Sequence, residues 1–153
     1  MDYEKLTQVM RKLSLEAGDK IMEVYRADDF GVKLKSDESP VTAADEAADT
    51  IISDGLRAAF PNVMLVTEEQ SDTHTIKGDT FLIVDPLDGT KEFIRRRGDF
   101  TVNIAMVEGG VPTRGVVYAP AKNRMFFTLA DGQTVEEVGA FDQDTVGTLI
   151  PIS

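Results

Sequence analysis

Phe100-Thr101-Val102-Asn103-Ile104-Ala105-Met106-Val107, then Glu108-Gly109-Gly110, then Val111-Pro112-Thr113-Arg114-Gly115-Val116-Val117-Tyr118, form one unbroken stretch. Two long apolar runs flank a Gly-Gly joint, which is the signature of an antiparallel hairpin. Downstream, Pro120 to Asn123 separates the hairpin from another apolar run, Arg124 to Leu129. Asp131-Gly132 is a further turn, and Thr134 to Val138 reads as one more edge strand. Asp142 to Ser153 reads as a loose end. Upstream, Thr80 to Val84 and Val63 to Val66 are short apolar runs that finish at Asp85 and at Thr67-Glu68-Glu69.

Farther upstream the period changes from strand-like to helical. Leu6, Val9, Met10, Leu13, Ala17, Ile21 and Val24 recur at three- and four-residue steps, which predicts an amphipathic helix from Tyr3 to Arg26. Phe30 to Lys35 alternates weakly, as a short strand would, and Ser36 to Pro40 has the composition of a turn. Thr42 and Asp45 resemble a capping box, with Asp in place of the usual Glu. Ala44, Ala48, Ile51, Ile52, Gly55 and Ala59 then share one face of a second helix, closed by Pro61-Asn62. Two helices followed by a meander predict an α+β domain: two N-terminal helices packed on a mainly antiparallel sheet.

The 153 residues are 42% hydrophobic and 28% charged, a soluble globular mix with enough chain for one core. A net charge of −11 argues against nucleic acid as a partner, because an acidic surface repels phosphate backbones. A small phosphorylated substrate would be repelled too, unless a bound divalent cation reversed the local field. There is no cysteine and only one histidine, His74, so disulfides, thiolate zinc, a cysteine nucleophile and a His-rich metal site are excluded. No apolar run of about 18 residues is present, so no membrane partner is expected. Met1-Asp2-Tyr3-Glu4-Lys5 lacks a secretory pattern, and a cytoplasmic location is the expectation.

Two acidic sites close two apolar runs: Glu68-Glu69, and Asp85-Pro86-Leu87-Asp88-Gly89-Thr90. Taken singly, the first is a solvated loop and the second a turn. Together, each at a strand end, they can converge at one edge of a sheet, and such a cluster is costly unless a cation neutralises it. Oxygen-only ligands point to Mg²⁺, with Mn²⁺ as the alternative. Gly89 lets backbone approach a ligand, and Thr90 opens a short helix whose N–H groups suit a phosphate oxygen.

These residues resemble the inositol monophosphatase-like superfamily of metal-dependent, lithium-sensitive phosphatases. Within it, the likeness is nearest to the 3′(2′),5′-bisphosphate nucleotidases of CysQ type. It rests on Lys35-Ser36-Asp37, Ser39 to Asp45, Asp85 to Ile94, Gly98 to Ala105 and Gly115 to Pro120, with Lys91-Glu92 favouring the nucleotidases. The resemblance implies that Glu68, Asp85 and the Leu87 carbonyl hold a first Mg²⁺, and that Asp85 and Asp88 reach a second; the full family site takes two or three ions. It implies that Asp45 and Thr90, with Glu68, serve catalysis, that Gly89 and Thr90 bind the phosphate, and that Lys35 lies at the metal edge beside the substrate. Glu69 would stand behind the ligands. By the residues alone, Asp45 is a helix cap, Lys35 and Arg95-Arg96-Arg97 are solvated charges, and His74 is an exposed loop residue.

The implied reaction is Mg²⁺-dependent hydrolysis of the 3′-phosphate of adenosine 3′,5′-bisphosphate to AMP and phosphate, without a protein nucleophile. Inositol or sugar monophosphates are the alternative substrates, and a non-catalytic metal-binding or interaction fragment is the alternative function. The family pattern covers residues 1–130, leaving residues 131–153 as an atypical tail. The family's second α/β domain, with its Trp-Asp motif, has no counterpart, and the chain holds no tryptophan. The expectation is therefore impaired turnover, and either self-association or a missing C-terminal half as partner.

Overall fold

Asp2 opens the first helix by accepting a 3.1 Å hydrogen bond from the Lys5 amide, and α1 then runs Tyr3–Tyr25. In this computed structural model, residues 1–35, 40–75 and 78–152 are described; the side chains of residues 40 and 41 are not. The apolar stripe of α1 (Leu6, Met10, Leu13, Ala17 and Ile21) is buried. The weak alternation after Phe30 gives only a two-residue strand, β1 (Lys33–Leu34), paired with β2 (Pro40–Val41). The expected turn at residues 36–39 lies outside the described residues. Thr42 caps α2 (Ala43–Ala59) through the capping box with Asp45 that the spacing predicts.

Seven strands follow in one sheet: β3 (Met64–Thr67), β4 (Phe81–Asp88), β5 (Thr101–Glu108), β6 (Val111–Ala119), β7 (Arg124–Thr128), β8 (Thr134–Val138) and β9 (Thr148–Pro151). Each pairs with its neighbours in sequence order. Every pairing is antiparallel except β3 with β4, which a segment carrying a 3-10 turn at Ser71–His74 joins in parallel. The short helix α3 (Thr90–Ile94) sits between β4 and β5. The expected hairpin is β5–β6, and the expected α+β class is the observed one: helices on a mostly antiparallel mixed sheet.

Alternation divides the sheet into two faces. Val84, Ile104, Val116, Phe127 and Val135 lie in one register row and are buried, facing α1 and α2. The adjacent row, Asp85, Asn103, Val117, Phe126, Glu136 and Ile150, lies on the opposite face, where Val117 is 44% and Ile150 48% exposed.

Two expectations need correction. Asp85 does not follow its strand, because β4 continues to Asp88 across an irregularity in its pairing with β5. The segment from Asp142 is not loose, and β8 is not the edge. Arg11 of α1 is buried and bonds both oxygens of buried Glu137 at 2.7 and 2.9 Å. It also donates to the carbonyls of Asp142, Gln143 and Thr145. Glu137 in turn accepts from the Gly147 amide at 3.1 Å. A buried guanidinium needs all its donors met, so this one pair draws the chain back across β8 and seats β9.

Candidate active site

Asp45 is the third residue of α2 and is fully buried. One carboxylate oxygen accepts from the Thr42 amide at 2.8 Å and the Thr42 hydroxyl at 2.6 Å. Its other oxygen accepts from the Thr90 hydroxyl at 2.8 Å. The acidic member of the capping box and the candidate catalytic carboxylate are thus one residue, with one function on each oxygen. The Thr90 proton is committed to Asp45, which leaves the hydroxyl's lone pairs to accept from a donor in front of it.

Gly89 precedes Thr90 at φ 100°, and a Cβ there would come within 2.8 Å of the Asp99 carbonyl. Only glycine takes that conformation and that closeness without strain. The chain can therefore leave β4 and enter α3 directly, which brings Thr90 over Asp45.

A pocket of about 260 Å³ is lined by Lys35, Glu68, Glu69, Asp85, Leu87, Asp88, Gly89 and Thr90, together with Lys91 and Glu92. Every expected site residue except Asp45 lines it, and Asp45 stands behind Thr90. Burial, followed by the charges of Asp88 and Glu68, pushes the Asp85 carboxyl up to about 7. One Asp85 oxygen is buried without a hydrogen-bond partner among the described residues. Asp88 accepts from the Asn103 side chain at 3.1 Å. Lys35 lies 2.9 Å from Glu69 and 3.7 Å from Glu68. Burial lowers the Lys35 pKa, but the bond to Glu69 and the charges of Glu69, Glu68 and Asp45 outweigh it, so the net shift is upward. Glu69 is also raised, because its burial exceeds the help of its lysine.

The donor chemistry suits a hard divalent cation. The groups there able to ligate a cation are all oxygens, one of them orphaned, and the Lys35 ammonium already leans toward the glutamates. The expected ligand set puts at most two carboxylates on each ion. Among the described residues, no group of three acidic or histidine side chains is poised to hold a metal ion.

The remaining charges divide. Arg96 donates to the carbonyls of Tyr25 and Ala27 and lies over the Phe30 ring, so it braces the end of α1 and not a substrate. Arg97 lines a neighbouring hollow with Asp88 and Lys122, and Lys122 is ion-paired to Asp99. His74 is exposed, as expected, yet its Nε2 lies 2.8 Å from the Thr67 carbonyl, a contact that requires the proton on Nε2.

The inositol monophosphatase family pattern matches residues 2–146. The chain belongs to the inositol monophosphatase family. Among its relatives is the 3′(2′),5′-bisphosphate nucleotidase CysQ of Escherichia coli K12, 48% identical over 129 residues, which are 82% of this chain and 52% of that protein. The Haemophilus influenzae CysQ is 30% identical over 88% of this chain and 51% of its own length. In three dimensions the fold matches CysQ from Bacteroides thetaiotaomicron, with a TM-score of 0.75 and 34% identity over 95% of this chain and 54% of that one. It also matches the inositol monophosphatase of Thermotoga maritima, with a TM-score of 0.71 and 31% identity over 85% and 50%. The chain spans about half the length of the curated relatives it matches. As a family member it has the expected helices-on-sheet fold. No helix among the described residues is long and apolar enough to cross a membrane.

Sequence reasoning missed the residues behind the pocket. Asp49, one turn after Asp45, is buried and carries a polar cluster of its own. The available signal was a carboxylate set into the stripe of Ala44, Ala48 and Ile52, where a charge survives only with partners.

Proposed function

We propose that the chain carries the catalytic acid–threonine pair and the divalent-cation ligands of a phosphomonoesterase, hydrolysing the 3′-phosphate of adenosine 3′,5′-bisphosphate to AMP and phosphate. The observation that carries this reading is the hydrogen bond from Thr90 to Asp45 beside an acidic pocket with an orphaned oxygen. Glu68, Asp85 and the Leu87 carbonyl would hold one Mg²⁺, and Asp85 and Asp88 another. Bound there, Mg²⁺ supplies positive charge for the phosphate oxygens and acidifies water.

The chain's own residues do the remainder. Asp45 takes the Thr90 proton in a hydrogen bond and so orients the Thr90 oxygen to accept from the attacking water. Thr42 holds Asp45 by its other oxygen, so the carboxylate cannot swing away. The backbone amides of Gly89 and Thr90 face the phosphate, and Lys35 counters charge at the glutamate side. The likeness to CysQ supports the bisphosphate nucleotide as substrate; the likeness to the Thermotoga maritima inositol monophosphatase makes inositol phosphate the alternative.

The test is phosphate release by the purified chain from adenosine 3′,5′-bisphosphate and from inositol 1-phosphate, with Mg²⁺, beside an Asp88→Asn control. Metal-dependent release from the nucleotide, lost in the control, is the expected result. A folded protein that releases phosphate from neither substrate would refute turnover by this chain.

A further inference from the structure

The structure points to a second carboxylate on α2 with a task distinct from that of Asp45: we infer that Asp49 is a positioning residue that fixes the Glu68–Glu69 turn and so sets the pocket's affinity for a divalent cation. The inference rests on the reading of that pocket as a cation site.

Asp49 is buried, at 5% exposure, on the same face of α2 as Asp45 and one turn farther along. Its bonds run away from the pocket. The Thr67 hydroxyl donates to Oδ1, and the Ser53 hydroxyl donates to the same oxygen at 3.3 Å. The Gln70 side-chain amide donates to Oδ2 at 2.7 Å. Thr67 and Gln70 are the two feet of a tight turn, linked by the Gln70 backbone N–H donating to the Thr67 carbonyl at 3.2 Å. Glu68 and Glu69 are the two residues between those feet. One carboxylate therefore grips the chain immediately before and immediately after the glutamate pair, and touches neither glutamate.

The back of the turn is braced as well. The Thr67 amide donates to the Thr73 hydroxyl at 2.9 Å, which donates to the Gln70 carbonyl at 2.6 Å, and His74 donates to the Thr67 carbonyl. The Glu68 amide donates to the Val84 carbonyl of β4 at 3.0 Å, next to Asp85. A shift at the feet therefore moves Glu68 relative to Asp85, the two groups that must share an ion. With Asp45 holding Thr90 and Asp49 holding Glu68–Glu69, α2 sets the spacing between the two halves of the pocket.

Asparagine at position 49 keeps the volume but replaces one acceptor oxygen by a donor. It cannot accept from both the Thr67 hydroxyl and the Gln70 amide in their present directions. Residues that orient metal ligands typically change metal affinity 10- to 100-fold when altered.

The experiment measures Mn²⁺ affinity by calorimetric titration, and amide exchange across residues 67–74, in the full chain and three variants. Asp49→Asn should weaken Mn²⁺ binding about tenfold or more. Gln70→Ala, which frees one foot and leaves α2 intact, should weaken it less; this second variant serves if Asp49→Asn does not fold. Both should speed exchange in the turn. Ile52→Val, a core change on the same helix that lowers stability without touching the turn, should bind Mn²⁺ as the parent does. If the parent binds Mn²⁺ and the folded Asp49 or Gln70 variant binds it equally well, the inference is overturned and the cation site stands. If Ile52→Val weakens binding as much, general destabilisation is the cause and the inference is likewise overturned. If the parent binds no Mn²⁺, the cation site itself fails and takes the inference with it.

Discussion

The Thr90 hydroxyl donates a 2.8 Å hydrogen bond to Asp45, joining the start of α3 to the start of α2 across 45 residues of chain. Neither residue can be moved alone. Asp45 is held from behind by Thr42, and Thr90 is placed by the left-handed Gly89. Asp45→Asn retains the size of the side chain but cannot accept on both sides. Phosphate release should fall by about 10²–10⁴-fold, the usual range for a lost general acid–base group. The check is kcat and KM for the variant, with kcat carrying the loss.

Thr42→Ala removes the cap and half of the clamp on Asp45. Helix caps of this type contribute about 1 kcal/mol. For a chain of this size that corresponds to a Tm lowered by about 2–4 °C. Thermal unfolding measures it, and kcat should fall in the same variant because Asp45 gains freedom to rotate.

Gly89→Ala places a methyl group against the Asp99 carbonyl at a φ of 100°. A non-glycine residue in a sparsely populated backbone region costs about 1–3 kcal/mol. The fold should survive with reduced stability, while Thr90 is displaced from Asp45. Denaturant unfolding and phosphate release together distinguish this from a global failure.

Asp85 predicts a pH dependence with a definite sign. Its folded pKa is raised from 3.8 to about 7, chiefly by burial, so the folded chain holds that proton more tightly than the unfolded chain does. Between those two values the unfolded state has lost the proton while the folded state keeps it. This group's contribution to stability therefore declines as pH rises from about 4 to about 7, and the loss is complete above that window. Asp85→Asn should flatten that limb in metal-free buffer and be more stable than the parent at pH 8. Tm against pH for both proteins is the measurement, since their difference isolates Asp85.

Arg11→Leu should be the most destabilising of these changes. It strands the buried Glu137 carboxylate and releases three carbonyls of the returning chain. Breaking one side of a buried ion pair costs about 3–5 kcal/mol. Urea unfolding gives the magnitude, and limited proteolysis should cut first between Asp142 and Pro151.

Local sequence was enough for everything that depends on local rules. The stripe from Leu6 to Ile21, the Thr42–Asp45 box, the Gly-Gly hairpin and the glycine before Thr90 each declare themselves within a few residues. Periodicity and capping are short-range effects. The same rules placed the acidic segments near strand ends and showed which residue types a cation would need. What they leave open is which charges meet. Asp49 looks like any acid on a helix until Thr67, at the end of β3, and Gln70, in the turn after it, arrive to bond it. Arg11 and Glu137 are 126 positions apart, and only their burial together turns a loose-looking tail into β9. Arg96 reads as a solvated charge until the end of α1 supplies carbonyls and the Phe30 ring. In each case the deciding term is the cost of burying a polar or charged group. Partners can repay that cost only after distant segments have packed, so the amino-acid sequence by itself determined the elements up to β8 and the chemistry on offer, and the tertiary structure alone decided the pairings and the last strand.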